Sequence, residues 1–266
     1  MKNMLPSIFF CMLVIFSACN HDDSPTEPSV TGPVLLSNGI GFAANTKVAI
    51  FSRDTLRVGY DSLYIKFADS ASGTVLQTMN VTITPMMYMA TMSHSCPVEQ
   101  PVSRIAVDGL FRCAAVFTMP TNAMEPWTVK VSFVDTVRQV SGTVEIPVTI
   151  VNSSMVTILT APDSTRYFVT MRSIVGAKVG TNECEYLVHK RQSMMSFPAV
   201  TDVVLEMTPD MPSMGHGSPG NVNPTHTSMG HYKGTVNFTM TGGWRITLLV
   251  KKGTATLGSA VFWVTL

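Results

Sequence analysis

GLFRCAAVFTM (residues 109–119) and GHYKGTVNFTM (residues 230–240) are the same segment written twice. Each opens on Gly, passes an aromatic and a basic residue, and closes on Phe-Thr-Met. Each is followed by a Trp that starts an apolar run, Trp127 and Trp244. The match continues upstream. Ile83-Thr84-Pro85-Met86-Met87 stands against Met207-Thr208-Pro209-Asp210-Met211, Met92-Ser93-His94 against Met214-Gly215-His216, and Cys96-Pro97 against Ser218-Pro219. The shared features keep their order, with small insertions and deletions between them. The chain is therefore read as two copies of one unit, over 34–152 and 153–266, joined near Asn152-Ser153-Ser154.

That unit reads as β-structure. Alternating or β-branched runs occur at 62–67, 75–84, 114–118, 127–133 and 142–150, and again at 184–189, 203–207, 234–240, 244–250 and 260–266. Gly, Pro, Asn, Asp and Ser bound them, the pattern of short strands in sandwiches. No stretch carries sustained helical periodicity. The fold class expected is all-β, with two tandem β-sandwiches in which Trp127 and Trp244 fill the cores. His189 and the pair Met194 and Met195 are read as structural.

The N-terminus reads as an export signal. One cation, Lys2, precedes an apolar run from Leu5 to Phe16, too short for a permanent span of roughly 20 apolar residues. Phe16-Ser17-Ala18-Cys19 resembles the lipobox of bacterial lipoproteins. The resemblance implies removal of residues 1–18 and lipidation of Cys19. Residues 19–33 (CNHDDSPTEPSVTGP) are too polar and Pro-rich to pack and read as a flexible tether. The expected setting is the bacterial cell envelope, with the chain held to a membrane facing the periplasm or cell surface. Charged residues are 13% of the chain and the net charge is +1. Nothing there suggests a nucleic-acid partner, and no second apolar run suggests a membrane span.

Methionine is the unusual residue. Sixteen follow Cys19, and fourteen of these fall within 79–124 and 194–240. Met used only as core filler would be spread more evenly. In the second copy Met211, Met214 and His216 lead through a Gly/Pro/Asn-rich stretch to His226, Met229 and His231. The stretch is too poor in apolar β-formers to read as a strand, so these residues are expected in one loop. Met240 closes the Phe-Thr-Met segment at the same rim. Thioether and imidazole together select soft or borderline metals, Cu(I) above all. The first copy keeps Met87, Met89, Met92, His94 and Met119, but Leu110 replaces His231 and Asp108 replaces Met229. Its methionines serve equally as packing. Cys96 and Cys113 flank a loop of the length that separates adjacent strands. The oxidising compartment favours a disulfide between them; the alternative is Cys96 as a metal ligand beside Met92 and His94. Cys184 is then the odd thiol.

Met211-Pro-Ser-Met214-Gly-His216, the Gly-aromatic-basic segment, Met240 and Gly-Gly-Trp244 resemble the YtkA-like domain, itself similar to the FixH family, over roughly 184–252. The resemblance implies a small exported immunoglobulin-like domain associated with copper handling. No Gly-x-Ser-x-Gly, P-loop or His-Glu-x-x-His motif accompanies these features, so the chain is not expected to be an enzyme. Blue-copper electron transfer needs a Cys beside two His, and the second copy's Met/His loop holds no Cys. Two functions remain. One is copper capture, storage or transfer to a donor or acceptor protein of the envelope. The other is a structural or adhesive surface lipoprotein without metal.

Overall fold

The computed structural model describes residues 32–266, except Ser173 and the side chains of Ser37 and Asn38. Cys19, the expected signal peptide and nearly all of the expected tether lie outside the described residues. Gly32–Leu266 forms one compact unit. The strands are β1 (Val34–Ala43), β2 (Thr46–Ser52), β3 (Gly59–Asp69), β4 (Asn80–Tyr88), β5 (Ser93–His94), β6 (Val98–Glu99), β7 (Phe111–Phe117), β8 (Trp127–Asp135) and β9 (Val140–Val148). They continue as β10 (Val156–Thr160), β11 (Arg166–Met171), β12 (Gly180–Lys190), β13 (Val204–Met211), β14 (His216–Gly217), β15 (Val222–Ser228), β16 (His231–Phe238), β17 (Gly243–Lys252) and β18 (Ala255–Thr265). The described residues are all-β.

The strands form four sheets, ordered β1-β2-β3-β7-β6 with β5-β4-β8-β9, and β10-β11-β12-β16-β15 with β14-β13-β17-β18. Adding nine to each strand number in the first half gives the second half. Every pairing within the sheets is antiparallel. In each half, four strands in the order A-B-E-D face three in the order C-F-G, the immunoglobulin constant-type arrangement. An extra strand borders A and a two-residue strand borders C. The halves are immunoglobulin-like sandwiches of one topology.

Each sandwich is closed by the inward faces of its two sheets. In the first, Ile50, Leu63, Ile65 and Phe67 meet Ile83, Trp127, Val129, Val131 and Ile146, all 0–1% exposed. In the second, Val169, Tyr186 and Val188 meet Leu205, Trp244, Ile246, Leu248 and Phe262, again 0–1% exposed. Burial alternates residue by residue along β8 and β17, as in strands with one face on a core. Trp127 and Trp244 are wholly buried, as their place at the head of an apolar run suggested; removing either ring costs about 3–5 kcal/mol.

The stretch expected as a loop after His216 contains a strand. β15 is a seven-residue edge strand of which only Pro224 is buried. An edge strand with one buried side chain needs no apolar alternation, and Pro is tolerated there because one side of the strand has no ladder to complete. The turn after it is Met229-Gly230, with φ of +46° and +80°. Asp108-Gly109, at +53° and +74°, occupies the same place in the first half. Two successive left-handed residues make the two-residue turn that matches strand twist, which is why Gly109 and Gly230 recur.

No disulfide joins Cys96 to Cys113; both are buried free thiols. The strand register explains this. Val98 pairs with Ala115, which carries Cys96 to the level of Phe117. Cys113 then lies four residues along the ladder, about 13 Å away at 3.3 Å per residue, against the 4.4–6.8 Å between Cα atoms that a disulfide spans. Burial pushes both thiols far up from their ordinary range. Cys184, also free and buried, rises to about 11 for the same reason.

Candidate metal site at the end of the second sandwich

Met211 ends β13 and His216 begins β14, and the two are direct partners across the ladder. The turn between them is fixed by backbone bonds from the amides of Met214 and Gly215 to the Met211 carbonyl, at 3.1 and 3.0 Å. Gly215 takes φ +67° there. The His216 ring meets Trp244 edge to face, with centroids 5.7 Å apart. Its Nδ1 lies 3.0 Å from the Gly217 carbonyl, and Nε2 has no hydrogen-bond partner among the described residues. The Trp244 indole N–H donates to the Met240 carbonyl at 3.0 Å, so Met240 is held at the same corner. Gly242 closes it: a Cβ added there would meet the Met211 methyl at 3.1 Å. Met211 is buried beneath the corner, whereas Met214 and Met240 are 60% and 38% exposed.

The first sandwich builds the same corner. Met87 pairs with His94. His94 lies 5.4 Å from Trp127, edge to face, and its Nδ1 is 2.7 Å from the Ser95 carbonyl. The Trp127 indole donates to Met119 at 3.0 Å. The repeated Met-His-Met-Trp pattern therefore has a shared structural cause: the imidazole and the indole each anchor to a neighbouring backbone carbonyl. Met87 is fully buried and belongs to the core. Met89 and Met119 pack partly against it, and Met92 is exposed. The two corners differ in access. His94 is 7% exposed, and the next residue, Ser95, donates its amide to the Met194 carbonyl of the second half at 2.9 Å. Met194, read from sequence as packing, thus reaches across to the first half.

His226, Met229 and His231 do not join the His216 corner. Leu187 pairs with His231 and Gly180 with Phe238, so His231 stands at the far end of β16 from Phe238 and Trp244. Seven residues of strand separate them, about 23 Å. His226 is exposed on β15 and packs against Tyr232, centroids 5.3 Å apart. Met229 sits in the hairpin turn. The sequence brought these residues close only along the chain; a strand reversal puts them at the other end.

His231 has another place. Its Nδ1 is 2.8 Å from Glu185 Oε1 and its Nε2 is 2.5 Å from Glu99 Oε1. Glu99 belongs to the first half and Glu185 to the second. Tyr60 donates to the other oxygen of Glu99 at 2.9 Å, and Arg172 to the other oxygen of Glu185 at 2.5 Å. The Arg172 guanidinium also lies 4.7 Å from the centre of the Tyr60 ring. Burial by itself would lower the His231 pKa. The bonds and charges of Glu99 and Glu185 outweigh it and hold the imidazole above its ordinary range. Both carboxyls sit below theirs: burial raises them, but the bonds from His231, Tyr60 and Arg172 dominate. Burial pushes the neighbouring His189 down to about 4, so it is neutral. With both ring nitrogens of His231 engaged, it is not a ligand of the His216 corner. Lone Glu residues on strands carried no sequence signal of this cluster, because its members come from both halves.

Residues 163–249 match the family model described as YtkA-like. This segment is similar to the YtkA-like domain. The match begins ahead of β11, earlier than the 184 expected from the motifs, and ends within β17. It therefore includes the whole His216 corner and leaves the first sandwich outside. A search of curated proteins finds no relative. Among solved structures, the chain resembles the Escherichia coli adhesin FdeC at 13% identity and a TM-score of 0.27, covering 85% of this chain and 65% of that one. It resembles domains 5–6 of the S-layer protein SbsC at 12% identity and 0.30, covering 88% and 99%. The D00–D0 domain of intimin follows at 9% and 0.23, covering 81% and 98%.

Proposed function

We propose that the chain is an envelope lipoprotein whose YtkA-like segment takes up Cu(I) at the corner formed by Met214, His216 and Met240 above the buried Met211, for capture, storage or transfer to a partner protein. The observation that carries this reading is the shared corner itself: two exposed methionines, Met214 and Met240, on the segments that flank His216, whose Nε2 has no hydrogen-bond partner among the described residues. Thioether sulfur suits Cu(I) better than Zn(II). It has no proton to lose and forms no disulfide, so it stays available in an oxidising compartment. A set with a single strong nitrogen donor also releases its cargo readily, as transfer requires. The first sandwich offers the same residue types but buries His94 beside Trp127, so it is the weaker binder.

The test is an anaerobic chelator-competition titration with Cu(I) on the full-length protein in detergent. His216→Ala together with Met214→Ala should raise Kd at least tenfold, about 1.4 kcal/mol. His226→Ala should leave it unchanged. Equal binding by the parent and the double variant would remove the site. The alternative is a structural or adhesive lipoprotein without metal. Trp263 favours it: this ring is 51% exposed on the edge strand β18, an apolar contact that copper chemistry does not need. Anchoring is tested separately. Cys19→Ser should abolish labelling by a fatty-acid probe and move the protein to the soluble fraction.

A further inference from the structure

The two sandwiches meet through ionisable groups that neither copy holds alone. We propose that His231 is a proton-operated clasp between the sandwiches, holding Glu99 of one and Glu185 of the other while protonated and loosening the joint when it gives up that proton. The geometry carries the argument. Each ring nitrogen faces a carboxylate oxygen, at 2.5 Å for Nε2 and 2.8 Å for Nδ1. An imidazolium has two N–H groups and donates to both. A neutral imidazole has one, so one of the contacts becomes a nitrogen lone pair against a carboxylate.

The surroundings reinforce that choice. Tyr60, from β3, commits its hydroxyl to Glu99. Arg172, after β11, commits its guanidinium to Glu185. Lys233, on the strand of His231, lies 3.8 Å from Glu185 Oε1. Of the groups facing the clasp from β12, Glu185 is ionised and His189 is neutral. Lys233 and Arg172 serve only Glu185; among the described residues Tyr60 is the other donor to Glu99, on its other oxygen, so nothing there takes the place of the Nε2 proton. Because the folded state raises the His231 pKa, the clasp's contribution is fully present below the unfolded value of about 6.5 and is lost as pH rises through the folded value. The lowered carboxyls set the acid limit: their contribution is present above the unfolded value of about 4.3 and fails as pH falls through their folded values.

The test is amide hydrogen exchange on the full-length protein in detergent at pH 5.5 and 8.5, corrected for intrinsic rates. Exchange at 57–62, 97–100, 185–191 and 229–233 is compared with that of β8 and β17 in the sandwich cores. In the parent, protection at the joint relative to the cores should fall about tenfold at pH 8.5, the scale of one charge-assisted bond. His231→Gln should be loose at both values. Glu99→Gln decides the matter. Its amide can donate to the lone pair of neutral Nε2 while its carbonyl accepts from Tyr60, so the joint should stay closed at pH 8.5. Joint protection that does not change with pH in the parent overturns the proposal, as does a Glu99→Gln joint that loosens like the parent.

Discussion

Gly230 shows how much one residue settles here. Its φ is +80°, and a Cβ would stand 2.8 Å from the Val188 carbonyl oxygen and 3.0 Å from the Ala199 Cβ. Gly230→Ala should therefore lose more than about 1 kcal/mol of stability in chemical denaturation. Gly176→Ala, at φ +67° with open space around the Cβ, should lose less, because only the backbone penalty remains. Met229, one residue earlier, holds a left-handed position that Asn accepts more readily. Met229→Asn should raise the melting temperature and leave Cu(I) affinity unchanged. A fall in affinity would bring Met229 back as a ligand. The repeated Gly-aromatic-basic motif thus encodes a turn and a strand start, not a ligand set.

At the scale of the element, most central strands were legible, though β2 and β11 were not, and most edge strands were not. β8, β17, β3 and β12 carry alternation or β-branched runs that read directly as strands. β5, β6 and β14 are two residues long, and β15 buries only Pro224. A strand that pairs on one side and buries almost nothing leaves no apolar pattern to read. Register is equally hidden. Cys96 and Cys113 look close enough to bridge along the sequence, and only the Val98–Ala115 pairing separates them. Thiol titration after mild reduction should find Cys96, Cys113 and Cys184 inert in the folded protein and all three reactive in denaturant. Two fewer reactive thiols in the unreduced, denatured protein would restore the disulfide. Gly234 poses a similar constraint on β15: a Cβ would meet the Val222 carbonyl oxygen at 2.4 Å. Gly234→Val should push β15 off β16 and speed amide exchange over 222–228, with little change in β17.

At the scale of the whole molecule, one topology is used twice with different consequences. The first corner lies against the second half through Ser95 and Met194, while the second is left to solvent. The difference between the two copies in copper affinity should follow from that packing. Met87→Ala with Met92→Ala is expected to change Cu(I) affinity far less than His216→Ala with Met214→Ala in the same competition titration. Much of the methionine enrichment is core: Met79, Met87, Met207 and Met211 are at most 7% exposed. Clustering along the chain therefore overstated the number of free thioethers.

The sequence by itself determined the all-β class, the two-fold repetition, the buried Trp127 and Trp244, and the pairing of Met with His in each copy. Those features are written in local periodicity and in direct comparison of one half with the other. Tertiary structure alone decided which methionines and histidines share a corner. It also separated His231 from His216 and assembled Glu99, His231 and Glu185 across the joint. The physical reason is chain reversal: an antiparallel strand carries residues a few positions apart to opposite ends of a sandwich. Docking of one sandwich on the other then brings together side chains more than a hundred residues apart.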